Sequence, residues 1–186
     1  KTSFIKMLLG EVTPDLGTIK LGRNLQISYF DQKRRDLNPS DSIWKTLCPA
    51  GGDYIKVGDQ ERHVCGYLKD FMFDPKHATN PVGSLSGGQQ NRLMLAKALA
   101  NPGSLLILDE PTNDLDMETL EMLEEIISNY KGTLIVVSHD RDFLDQIVSK
   151  ILAFSGNGII DEHVGNYSDY LETIKFRAEI AKIKSK

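Results

Sequence analysis

The 186-residue sequence has two cysteines, one tryptophan and no long apolar run. Cys48 and Cys65 give neither a disulfide framework nor a zinc-ligand spacing, which fits a reducing, cytoplasmic setting. No stretch approaches the roughly 18 apolar residues of a membrane helix, and no signal-peptide pattern is visible. A net charge of −4 lacks the bulk basicity of a nucleic-acid binder. The one basic stretch is the tail: from Lys175 onward five Lys/Arg face a single Glu179, a pattern that a solvated helix end also explains. Also missing is a glycine-rich phosphate loop. The sequence opens on Lys1-Thr2-Ser3 rather than on Met, and a chain that starts inside such a motif is expected to be a piece of a longer protein.

What is present has globular proportions, 40% hydrophobic and 26% charged, enough for one domain with a sizeable core. Apolar spacing predicts a helix over 1–9 stopped by Gly10. It predicts short strands over 17–21 and 25–30, and a short helix over 41–47 capped by Asp41 or Ser40. An amphipathic helix is expected over 61–73, a loop over 75–81 and a strong helix over 89–100. Continuous apolar runs at 105–108 and 133–137 flank a helical pattern at 118–128. Strand, helix and strand at that spacing make a crossover between buried parallel strands. A helix over 140–148, a hairpin around Gly156-Asn157-Gly158 and a helix from Tyr167 complete the pattern. The expected class is α/β, with a mostly parallel sheet, a small antiparallel portion and a helical subdomain over about 41–100.

The chemistry centres on Leu105-Leu106-Ile107-Leu108-Asp109-Glu110-Pro111-Thr112-Asn113-Asp114-Leu115-Asp116. A buried strand there delivers two adjacent carboxylates to its carboxyl end, the rim where open parallel sheets bind ligands. Asp109 can hold Mg²⁺ with phosphate oxygens completing the shell, and Glu110 can orient or deprotonate a water. Ser138-His139 follows its own strand to the same rim, so a hydrogen bond from His139 to a γ-phosphate would sense hydrolysis. Helix capping after a buried strand is the plainer explanation for the acids, and a satisfied core histidine for His139. His63, His77 and His163 lack such a context and read as structural. Leu85-Ser86-Gly87-Gly88-Gln89 opens a helix with exposed N–H groups, an anion site backed by the helix dipole or simply a flexible turn. Lys1-Thr2-Ser3 retains the Lys and hydroxyl of a G-x-x-x-x-G-K-[ST] loop. Lys1 would meet the β/γ-phosphates, Thr2 would ligate Mg²⁺ and Ser3 would touch a further phosphate oxygen. Without the glycines that form the anion nest, the chain should bind nucleotide poorly. Gln32 ends a strand, within reach of metal or attacking water.

In this order these residues resemble the motifs of the ATP-binding cassette (ABC) ATPases over nearly the whole chain. Asp109-Glu110 is similar to their Walker B, Leu85 to Gln89 to their signature, Gln32 to their Q-loop, His139 to their H-loop, and Asn113 to Asp116 to their D-loop. The run from Asp109 to Asp116, the run Ser138-His139-Asp140-Arg141-Asp142-Phe143-Leu144 and Gly165-Asn166-Tyr167-Ser168-Asp169-Tyr170 resemble the ABC-F branch. Arg62-His63-Val64-Cys65-Gly66-Tyr67-Leu68-Lys69-Asp70-Phe71 resembles the second nucleotide-binding domain of the Uup-like group within it.

The resemblance implies a P-loop NTPase-like core over 1–174, with 175–186 beginning a basic helical linker. It implies ATP as ligand with Mg²⁺, with Asp116 among the nucleotide-binding residues. It also implies a head-to-tail sandwich with a second ABC domain of the same parent chain, in which Ser86 to Gln89 complete the partner domain's site. The branch implies action on the ribosome, the Uup-like group also branched DNA, with no membrane partner. A nucleotide-binding subunit of a membrane transporter and a non-catalytic interaction module are the alternatives.

Overall fold

In a computed structural model, the structure describes residues 1–31, 37–58, 60–156 and 158–184. They form two compact units, one of the described residues between 2 and 137 and one of those from 138 to 184 with Lys1.

The first unit is built on a three-stranded parallel sheet in the order β1–β4–β5, with β1 at Ile27–Asp31, β4 at Leu105–Asp109 and β5 at Thr133–Val137. The central strand β4 is buried along its whole length, as expected of a strand with neighbours on both edges and cover on both faces. The register sets Asp31 opposite Asp109 and Asp109 opposite Val137, so all three strands end level at one rim. Side chains alternate between faces. One face carries Leu105 and Ile107, packed with Ile5 of α1 (Thr2–Leu8) and with Ile27, Tyr29, Ile135 and Val137. Asp109 continues that series. Helix α4 (Gly87–Ala100) meets the other face, where Ser28 Oγ donates to Ala98 O at 3.1 Å. Helix α5 (Met117–Ser128) forms the β4-to-β5 crossover.

Between β1 and α4 lie α2 (Ile43–Leu47), the hairpin β2–β3 (Tyr54–Val57 and Gln60–His63), α3 (Val64–Asp70) and two 3₁₀ turns, Pro75–His77 and Val82–Ser84. Buried Ile43, Val64, Leu68 and Phe71 form the core of this region. It is tied to α4 by Tyr67, whose hydroxyl donates to Ala96 O at 2.7 Å.

Three expectations are corrected here. Residues 17–21 form no strand. No described strand pairs with them, and an apolar run with no ladder partner stays exposed, as Ile19 and Leu21 do. Helix α2 is capped by Ser42, which accepts from Lys45 N–H at 3.0 Å, while Asp41 pairs with the Lys45 ammonium at 2.7 Å. The predicted helix over 61–73 begins only at Val64. Residues Gln60–His63 are drawn into antiparallel pairing with Tyr54–Val57, which Gly58 follows at φ 59°.

The second unit contains α6 (Arg141–Ile147), the antiparallel hairpin β6–β7 (Lys150–Gly156 and Ile159–Val164) and α7 (Tyr167–Lys184). Asn166 and Asp169 exchange hydrogen bonds at the start of α7, each side chain accepting from the other's backbone N–H, at 3.0 and 3.1 Å. Ser168 donates from both its N–H and its hydroxyl to the Asp145 carboxylate of α6. The Gly-Asn-Tyr-Ser-Asp-Tyr run is therefore a capping and docking device that fixes α7 to α6.

Candidate functional site

Asp109 is the last residue of β4 and only 8% exposed. A carboxylate buried at a strand end needs compensation, and the Tyr29 hydroxyl of β1 supplies part of it, donating to Asp109 Oδ2 at 3.4 Å. Burial first, then the charges of Asp31 and Asp109, hold the Tyr29 phenol well above its ordinary value, so it remains a protonated donor. This donor was missed from sequence, because it lies 80 residues from the carboxylate it serves.

Glu110 leaves the strand in the left-handed region, φ 52°. Its N–H donates to Val137 O at 2.7 Å and so holds it to the end of β5. A non-glycine residue in that conformation costs about 1–3 kcal/mol and persists only where its surroundings fix it. Asp114, φ 59°, is a second such residue in the same loop. The loop closes at Asp116, the N-cap of α5, whose carboxylate accepts from Thr119 N–H at 2.8 Å. Hydrogen bonds from Thr119 hold the Asp116 carboxyl below the usual aspartate range.

Thr2 and Ser3 form the exposed first turn of α1, and Lys1 is exposed before them. Through Ile5, α1 packs on the sheet face that carries Asp109. Gln32 lies outside the described residues. Ser86 caps α4 in a reciprocal box: its hydroxyl accepts from Gln89 N–H at 3.3 Å, and Gln89 Oε1 accepts from Ser86 N–H at 2.9 Å. The box uses those two donors and leaves the N–H groups of Gly87 and Gly88, which the helix itself cannot pair. On the α4 face that follows, Asn91 is 7% exposed and its Nδ2 donates to Asn113 O at 3.0 Å. That tether was also missed: Asn91 stands among Gln89, Gln90 and Arg92, so nothing local marks it, and its partner lies 22 residues away. In the second unit, Ser138 Oγ accepts from Asp140 N–H at 2.9 Å, Asp140 caps α6 and His139 is exposed.

The first unit thus brings the acid pair, the face of the Thr2–Ser3 helix, the capped α4 N-terminus and the 110–116 loop into one body. No three metal-ligating side chains cluster among the described residues. A magnesium ion held by one or two carboxylates and by phosphate oxygens has no need of such a cluster, and the buried Asp109 carboxylate at the rim is a donor of the kind it takes.

The sequence profile of the ABC transporter family matches residues 1–113. The chain belongs to this family, the ATP-binding cassette proteins. It is 52% identical to the ATP-binding protein Uup of Haemophilus influenzae, over 91% of this chain and 26% of that protein. It is 44% identical to the energy-dependent translational throttle protein EttA of Mycobacterium tuberculosis, over 84% of this chain and 28% of the relative. Such relatives set this cassette chain in the ABC-F branch. Among solved structures, an archaeal ribosome recycling factor in complex with a ribosomal stalk protein superposes with a TM-score of 0.68. Its sequence identity is 25%, over 84% of this chain and 30% of that one. The chain spans about a quarter to a third of the length of these relatives. A cassette domain implies nucleotide binding. Among the described residues no helix is long and apolar enough to cross a membrane.

Proposed function

We propose that this chain is one half of an ABC-F ATPase that binds ATP with Mg²⁺ and hydrolyses it to drive a conformational switch on the ribosome. The observation that carries this reading is the buried Asp109 at the rim, followed by Glu110 locked in a left-handed turn. Strain of that kind is kept where it positions a working group.

Asp109 and Thr2, with Gln32, would hold the metal. The ion, when bound, neutralises charge developing on the transferred phosphoryl group. Lys1 and Ser3 would bind phosphate oxygens. Glu110 would orient and deprotonate the attacking water, and His139 would hydrogen-bond the γ-phosphate. Ser86, Gly87, Gly88 and Gln89 would present donors to a γ-phosphate held by a second cassette of the same parent chain. Asp116 would lie at the seam between the two. Within this reading, residues 1–174 are the nucleotide-binding domain, about 41–100 its helical subdomain, and 175–186 the start of a basic linker. Its setting is the cytoplasm.

The names of two relatives, a translational throttle and a ribosome recycling factor, favour the ribosome over branched DNA as the target. In the full-length protein, Glu110→Gln should lower ATP turnover by about a hundredfold or more while ATP still binds and holds the closed state. Turnover equal to wild type refutes the assignment. ATP-dependent sedimentation with ribosomes, rather than with a membrane pellet or with branched DNA, tests the target. Residues 1–186 alone should show negligible turnover, since no glycine-rich loop is among them.

A further inference from the structure

One face of α4 holds the loop that follows the acid pair, at two adjacent points. Gly88 and Asn91 are three residues apart and so share that face. A Cβ on Gly88 would sit 3.7 Å from Asp114 O, an ordinary van der Waals distance, so the helix backbone runs close alongside the loop. One turn on, the buried Asn91 amide donates to Asn113 O at 3.0 Å. The loop is also held at its ends, by Glu110 N–H on Val137 O and by the Asp116 cap of α5. Its middle carries Asp114 in the left-handed region. A buried amide that donates to a carbonyl 22 residues away is not needed to form either element. What it does is make the N-terminus of α4 and the loop leaving Glu110 move together.

We propose that Asn91 is a positioning residue that transmits displacement of the α4 N-terminus to the 110–116 loop, and so couples the site served by Ser86–Gln89 to the acid pair. This rests on the ATPase reading above. With Ser86–Gln89 engaged by an anion, the tether draws Asn113 and Asp114 with α4 and reorients the loop at its Glu110 end. Loss of the tether weakens that coupling.

The test uses the full-length protein with Asn91→Leu, which keeps the volume and removes the donor, and Asn91→Asp, which keeps the shape and turns a donor toward the carbonyl into an acceptor. Hydrogen exchange of the 112–116 amides is followed with and without a non-hydrolysable ATP analogue and Mg²⁺, alongside steady-state kinetics. Wild type should gain protection in 112–116 on binding. Both variants should lose that gain, bind the analogue within about twofold of wild type and drop kcat by about tenfold with KM little changed, a misplacement effect. The Hill coefficient should fall toward 1. A wild-type loop response that both variants retain overturns this inference and leaves the ATPase reading standing. Absence of analogue binding by wild type takes down both. Global melting of both variants without nucleotide, read from exchange in β4 and β5, makes Asn91 a core-packing residue and overturns the inference.

Discussion

At the residue scale, the proposed site rests on a few side chains whose surroundings fix them more tightly than packing requires. Glu110 illustrates this. Its left-handed backbone would be relaxed by glycine, so Glu110→Gly should raise the unfolding free energy of the domain while abolishing turnover. A melting curve and an ATPase assay on the full-length protein read the two effects. The opposite result, lower stability with activity kept, contradicts a strained working residue. Asp116 behaves differently. Its carboxylate is bound to Thr119, so Asp116→Ala should cost about 1 kcal/mol as a lost N-cap, read by chemical denaturation. Removing Ile107, fully buried in the central strand, should cost about 2–5 kcal/mol when changed to Ala.

At the element scale, local signals were legible and distant partners were not. Strand β4 shows in four apolar residues ending in an acid, and α4, α5 and α6 begin on Ser86, Asp116 and Asp140, whose side chains cap the helices they precede. Each signal is complete within a few residues. Residues 60–63 misled because their pairing with 54–57 outweighs a helical apolar spacing that continues past them. The 17–21 run misled because a strand exists only with a neighbour. The Tyr29–Asp109 and Asn91–Asn113 contacts depend on tertiary placement and leave no mark in spacing.

The α6–α7 junction yields a pH dependence at the same scale. The Ser168 hydroxyl and N–H hold the Asp145 carboxyl below its ordinary value. A carboxylate whose folded pKa is depressed stabilises the fold above its unfolded pKa, about 3.9, and that contribution is lost as pH falls through the lower folded value. Exchange protection at the start of α7 should therefore fall in that acid window, and Asp145→Asn should remove the pH dependence. Protection that rises on acidification contradicts the junction described.

At the scale of the whole molecule, family membership and fold class were both legible, because the cassette motifs occur in order along one chain. The central proposal is that Asp109 holds the metal of a bound triphosphate and Glu110 activates the water that attacks it. The most direct measurement is an experimental structure of the full-length Glu110→Gln protein with Mg²⁺ and ATP. Asp109 should lie in the coordination sphere of the metal, directly or through water, with the side chain at position 110 facing the γ-phosphate. A bound nucleotide whose metal and γ-phosphate lie away from Asp109 and position 110 would contradict the account.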